Sequence, residues 1–196
     1  VIWQNDFSAT AITNPWEITT AGQGTFEIGT STSVAASNPD LIAYLGAMAT
    51  TGTTATNGYA FFDGIQYLLT VPPFVEIQNT SITSSTIDLS SYTQPAITIS
   101  FNQRFRHFNY DETYVEMSQD GGVTWAYSQQ VNAEEATNGT SLQNNLSLIV
   151  PVSPSPNTKI RFRWSSNTDS DDYGSGYGWM IDDVKLIEPF TDEFTV

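Results

Sequence analysis

Period-two alternation of apolar and polar side chains is the strongest constraint on this chain. Ile97-Thr98-Ile99-Ser100-Phe101 alternates without a break, and the extended run continues through Asn102-Gln103-Arg104-Phe105-Arg106. Successive side chains of a strand point to opposite faces, so such a run builds a half-buried β-strand rather than a helix. Tyr114–Met117, Leu146–Val150, Lys159–Trp164 and Trp179–Ile187 read the same way. Strands are also expected around Trp3–Phe7, Trp16–Thr19 and Tyr59–Phe62. Gln119-Asp120-Gly121-Gly122, lying between Tyr114–Met117 and Trp125–Tyr127, predicts a hairpin, because its glycines accept the positive φ that a tight turn needs. A Pro-rich link from Pro151 to Pro156 separates two later strands. The stretch from Ile28 to Asn57, rich in Ser, Thr, Ala and Gly, predicts a long loop, with Asn38-Pro39-Asp40-Leu41 starting one short helical turn. Short strands with turn signals between them predict an all-β chain: a two-sheet antiparallel β-sandwich.

A length of 196 residues suits one such domain, and a chain of that size buries roughly 70% of its unfolded surface without needing a staple. Residues 1–188 are read as a single sandwich and 189–196 as a linker toward a neighbouring domain. Acids outnumber bases 21 to 6, and the net charge of −15 repels nucleic acid and anionic lipid at long range. The same excess suits an extracellular protein, or one that holds Ca²⁺ through carboxylates. No cysteine is present, which excludes disulfides and thiolate metal sites. No stretch approaches the roughly 20 apolar residues of a membrane span, so membrane insertion is not expected. The chain opens at Val1 rather than Met, and is expected to be a mature fragment or an excised domain.

Five segments in order carry a family resemblance: Asn57–Asp63, Ile87–Tyr92 leading into Ile97–Phe101, Tyr114–Trp125, Ile160–Trp164 and Gly178–Val184. Together they resemble the MAM-like, concanavalin-like jelly-roll modules of bacterial secreted proteins, including the cleaved-adhesin group. The resemblance runs from about residue 3 to residue 188. It implies a jelly-roll module attached to proteases, glycosidases or adhesins, often stabilised by Ca²⁺. Animal MAM domains carry paired cysteines, and their absence here points to the bacterial branch. The resemblance also implies a calcium site in which Asp6 and the acid pair Asp182-Asp183 take part, with Asp63 as a further oxygen source. By alternation alone, Asp182 falls on the face of Val184 and Leu186, so its carboxylate needs a cation or several N–H donors. Asx-turn and backbone capping are the alternative for these acids.

Ser118–Trp125 also fits the Asp-box pattern, a folding device in which the Asp side chain accepts turn amides. Asp169-Ser170-Asp171-Asp172 reads as a solvated acidic loop, and Tyr173 and Tyr177 after it as candidates for a ligand rim. All four arginines sit on two strands, as Arg104 and Arg106 on one and Arg161 and Arg163 on the other. If those strands are neighbours, they form a basic patch with Tyr114. Arginine forks recognise carboxylate, phosphate or sulfate, so the patch would suit an acidic glycan or a partner's carboxylates. A cross-strand ladder with Glu112 and Glu116 is the favoured alternative.

Catalysis is not expected. His107 is the only histidine, no Gly-x-Ser-x-Gly elbow occurs, and the Glu-x-Asp-x-x-Glu strand of jelly-roll glycosidases is absent. The expected function is a non-catalytic adhesion or binding module, secreted or at the cell surface, that contacts a polysaccharide or a cell-surface protein as well as neighbouring domains of its own polypeptide. A structural spacer or interaction domain of a surface adhesin or secreted hydrolase is the alternative reading, and a polysaccharide-active enzyme the least favoured one.

Overall fold

The alternating strands close into two stacked sheets in a computed structural model. The structure describes residues 1–8, 15–48, 57–66, 78–107, 111–133, 140–166 and 176–189. In chain order the elements are β1 (Trp3–Asn5), β2 (Glu17–Gly22), β3 (Phe26–Gly29), α1 (Ser31–Ser37), α2 (Pro39–Leu45), β4 (Tyr59–Asp63), β5 (Gln78–Thr83), β6 (Ala96–Arg106), β7 (Asp111–Ser118), β8 (Tyr127–Val131), β9 (Leu142–Pro151), β10 (Lys159–Ser166) and β11 (Gly178–Ile187). The first sheet runs β3-β4-β11-β6-β9, with β1 also paired to β11; the second runs β2-β5-β10-β7-β8. Every pairing among the described strands is antiparallel. The two-sheet antiparallel sandwich is therefore as expected.

The core lies between the sheets and follows the alternation. β6 contributes Ile97, Ile99, Phe101 and Phe105, β10 contributes Ile160, Phe162 and Trp164, and β11 contributes Trp179, Ile181, Val184 and Leu186. Aromatic rings bridge the layers. Phe101 and Phe162 meet edge-on with centroids 5.0 Å apart, and Phe62 stacks on Trp164 at 4.6 Å. Such contacts add about 1 kcal/mol each beyond the area they bury. Two glutamines among these rings serve the indoles. Gln78 accepts from Trp164 Nε1 at 3.3 Å, and Gln103 from Trp179 Nε1 at 2.8 Å.

Three features depart from the sequence expectation. The stretch expected to be a loop holds the end of β3 and two seven-residue helices, α1 and α2, of which α2 grows from the short helical turn expected at Asn38-Pro39-Asp40-Leu41. α1 starts on a Thr30–Ser33 capping box and α2 on Pro39, and the buried faces of Val34, Leu41 and Leu45 cover Tyr59, Phe61 and Met180 on the outside of the first sheet. Ile42 packs beside them, so the apolar face of α2 is Leu41, Ile42 and Leu45, a stripe about one turn long and too short to stand out from the Ser-, Thr- and Ala-rich stretch around it. β5 lies where the sequence predicts no strand, because Gln78-Asn79-Thr80-Ser81-Ile82-Thr83 shows no apolar alternation; its inward Thr80 instead accepts a hydrogen bond from the backbone N–H of Phe26. The β7–β8 hairpin exists, but its connection spans 119–126 rather than a tight turn, and Trp125 belongs to that connection, not to β8. Residues 190–196, most of the expected linker, lie outside the described residues.

Candidate functional site

The arginine pairs do not meet. Arg104 and Arg106 lie on β6 in the first sheet, Arg161 and Arg163 on β10 in the second. The single basic patch that neighbouring strands would have made is therefore absent, and two separate clusters replace it.

On the first sheet, the arginines cap α2. Arg104 Nε donates to the Leu45 carbonyl and Arg104 NH1 to Gln143 Oε1 at 2.9 Å, while Arg106 NH1 donates to the Tyr44 carbonyl at 2.7 Å. Cations at a helix C-terminus satisfy its orphan carbonyls and oppose its dipole. Gly46, the residue after α2, adopts φ +87°, and a Cβ there would lie 2.1 Å from the Arg104 guanidinium. Arg106 also stacks on Tyr177 at 4.0 Å, and Tyr177 on Tyr44 with centroids 5.7 Å apart. These residues fasten the helices to the sheet. Tyr173 and the acidic run 169–172 lie outside the described residues.

On the second sheet, the outer face carries a continuous polar lattice. Across the strands one row reads Glu17, Thr83, Arg161, Glu116, Ser128, and the next Thr19, Ser81, Arg163, Tyr114, Gln130. Glu116, 4% exposed, is its hub. Arg161 Nε donates to Glu116 Oε2 at 2.6 Å, Arg163 reaches the same carboxylate at 3.4 Å, and Ser128 Oγ donates to it at 2.9 Å. Burial acts to raise the Glu116 carboxyl, but Arg161 foremost, then Arg163 and Ser128, outweigh it and hold it below its ordinary value. Each arginine also lies over an aromatic ring, Arg161 on Trp125 at 3.8 Å and Arg163 on Tyr114 at 4.0 Å. Glu112 accepts from the Tyr114 hydroxyl at 2.9 Å. The cross-strand ladder, favoured over open forks, is what forms.

Trp125 is held there by the Asp-box. Asp120 accepts from Thr124 N at 2.9 Å, from Thr124 Oγ1 at 2.6 Å and from Ser118 Oγ at 2.7 Å, and these bonds draw its carboxyl down to about 2. The aspartate shapes the connection; the sequence expectation of a structural role matches this geometry.

The expected metal acids divide. Asp63, at the end of β4, faces Gly178 across the strand pair, accepts from Asn38 Nδ2 at 2.8 Å and is tied to Gln66; it braces the start of α2. Asp182 and Asp183 sit where β11 exchanges one edge partner for another, β4 pairing with Gly178–Ile181 and β1 with Val184–Leu186. A bulge marks the exchange. Asp182 pairs with Asn102 and Lys185 with Ser100, so one extra residue intervenes, and Asp183 takes φ 49°. This reverses the face: Asp182 points outward with Met180, not inward with Val184 and Leu186 as uninterrupted alternation implied.

Although on the outer face, Asp182 is 0% exposed. Its Oδ1 accepts the Asp183 N–H at 2.6 Å, while Oδ2 has no hydrogen-bond partner among the described residues, nor does the buried hydroxyl of Tyr59. Burial first, and then the charges of Asp183 and Asp6, push the Asp182 carboxyl up to about 8; burial and the charge of Asp182 push Tyr59 up to about 12. Asp6 accepts from Ser8 N and Asp183 from Asn102 Nδ2. A buried carboxylate oxygen with no partner among the described residues, beside two further acids, is chemistry that suits a hard cation. Still, among the described residues no three acidic side chains or histidines close into a ready metal cage.

The comparisons agree with this architecture. A model of the Reelin subrepeat B family matches residues 66–186, well over half of the chain. No curated protein matches. Among solved structures, a cleaved-adhesin domain of Lys-gingipain from Porphyromonas gingivalis is similar at 12% identity and a TM-score of 0.53, covering 96% of this chain and 98% of that one. A second cleaved-adhesin domain of Lys-gingipain is similar at 13% identity and 0.51, covering 95% and 98%. At these identities the likeness is one of fold. Among the described residues, no helix is long and apolar enough to cross a membrane.

Proposed function

The chain belongs to the Reelin subrepeat B family, and on that premise we propose that it is a non-catalytic extracellular binding module whose recognition surface is the outer face of the β2-β5-β10-β7-β8 sheet. One observation carries this reading. The outer face of the first sheet is covered by α1 and α2 over β4 and β11, whereas no described helix or strand overlies the lattice of Arg161, Arg163, Tyr114 and Glu116, which only Trp125 of the 119–126 connection flanks at Arg161. Half-buried arginines and tyrosines on a rigid sheet are the residue types that anchor binding surfaces. The ligand class is a polysaccharide or a cell-surface protein. The finer MAM-like assignment belongs with this reading and rests on the motifs at Tyr114–Trp125 and Gly178–Val184.

Calcium stabilisation is proposed with it. Asp182, supported by Asp6 and Asp183, would hold a Ca²⁺ ion whose remaining oxygens come from carbonyls and water, and the ion would compensate the buried charge. Asp63 is outside that group, since its carboxylate is engaged at α2.

The test is adhesion of the labelled domain to polysaccharide-coated and cell-coated surfaces. Tyr114→Ala is expected to lose retention while keeping the wild-type melting point to within a few degrees. Equal retention of the variant on every surface would overturn the assignment of this face.

A further inference from the structure

One end of that face is hollowed. A groove of about 320 Å³ lies between the 119–126 connection and the β2 edge, at the small end of the roughly 300–1,000 Å³ of ligand sites. We infer that this groove binds one neutral saccharide unit of a polysaccharide, with Trp125 as its apolar wall, an inference that rests on the reading of the sheet face as the recognition surface.

The wall is preformed. The Arg161 guanidinium lies 3.8 Å over the Trp125 ring and the Asp120 network fixes the backbone before it, so the indole is ordered without a ligand. Ordering the site beforehand removes an entropic cost of binding. The floor is made of hydroxyls, those of Thr19, Ser81 and Thr83, projected from adjacent strands. The lip is low because Gly121 and Gly122, at φ +80° and +95°, carry no side chain, and a Cβ on Gly122 would stand 3.6 Å from the Trp125 ring.

The charges decide between neutral and acidic sugars. Lys159 Nζ lies 3.8 Å from Glu17 Oε2 at the end of the groove, and Arg161 is bonded to Glu116. Every cation in the groove therefore already faces a carboxylate. An anionic sugar would have to compete with Glu116 and Glu17 on a protein of net charge −15. A neutral sugar needs no such displacement. Its hydroxyls can both donate to carboxylates and accept from ammonium, guanidinium and Thr or Ser hydroxyls, while its C–H face packs on the part of the half-buried indole that Arg161 leaves open.

The experiment is isothermal titration of the intact domain with neutral galactomannan and xyloglucan oligosaccharides and, in parallel, with oligogalacturonate and heparin, near physiological salt. The expected result is binding of a neutral oligosaccharide, weakened about tenfold or more by Trp125→Ala. Circular dichroism melts establish that the variants fold. Tighter binding of the anionic probes, falling steeply with salt, would overturn the inference. So would neutral binding that survives Trp125→Ala but is lost in Tyr114→Ala, an outcome that leaves the sheet face as the recognition surface. If no saccharide binds while cell-surface retention is still lost in Tyr114→Ala, the groove assignment falls and the wider reading stands.

Discussion

The backbone N–H of Asp183 donates to Asp182 Oδ1 at 2.6 Å, and the left-handed turn at Asp183 sends the Asp182 carboxylate to the face opposite Val184. Its second oxygen is buried and has no partner among the described residues. A carboxyl at about 8 in the fold, against roughly 3.9 in an unfolded chain, keeps its proton in the native state where the unfolded state has released it. The native state then binds more protons, so in EDTA stability falls as pH rises between about 4 and about 8. If Ca²⁺ binds as proposed, this decline should disappear in its presence. Asp182→Asn should abolish both the slope and the calcium response. Urea melts at about pH 5 and about pH 8, with chelator and with millimolar Ca²⁺, measure it; a calcium-insensitive wild type would overturn the calcium proposal.

Glu116 joins β7, β8 and β10 through Arg161, Arg163 and Ser128. Replacing it with Gln leaves two guanidinium groups without their counter-charge. Because both arginine side chains retain solvent contact, at 21% and 24% exposed, the full cost of breaking a buried pair is discounted to about 2 kcal/mol. The carboxyl is held below its ordinary value, so its contribution is present at neutral pH and is lost as pH falls through the folded value. Chemical denaturation of wild type and Glu116→Gln at neutral and acid pH should show the gap closing on the acid side.

Gln103 is 0% exposed within an otherwise apolar strand face, where it accepts from Trp179 Nε1 and exchanges hydrogen bonds with Asn132. Gln103→Leu preserves volume but strands the indole N–H, at an expected cost of about 1–3 kcal/mol. In a double-mutant cycle with Trp179→Phe, the combined loss should be smaller than the sum of the two.

Gly46→Ala meets two obstacles, a φ of +87° and the Arg104 guanidinium 2.1 Å from the new Cβ. A loss of about 2 kcal/mol or more is expected. Adding Arg104→Ala should recover the steric part and leave the backbone part, which thermal melts of the three variants would separate.

Alternation made the second half of the chain legible, because β6, β7, β10 and β11 bury one face of large side chains against a second sheet. It failed where the pattern was not apolar. β5 presents inward Gln78 and Thr80, whose role is to serve Trp164 and Phe26, and nothing local announces that. The start of α2 is legible in Asn38-Pro39-Asp40-Leu41, but its length and the whole of α1 are not, because their few anchors make sense only against Tyr59, Phe61 and Met180 on the sheet beneath them.

The candidate site shows the same division. The residue types were set by the sequence alone: paired arginines two apart, Glu116 in phase with Tyr114, an Asp-box ending on Trp125, and an acid pair before Val184. Which of them meet was decided by strand order and register. β10 lies beside β7, so Arg161 and Arg163 find Glu116, while β6 lies in the other sheet under α2, so Arg104 and Arg106 become helix caps. One bulge residue turned Asp182 to the other face. Period-two patterning is a local property of the backbone, whereas pairing partners and bulges are fixed by contacts between segments far apart in the chain, which no local pattern encodes.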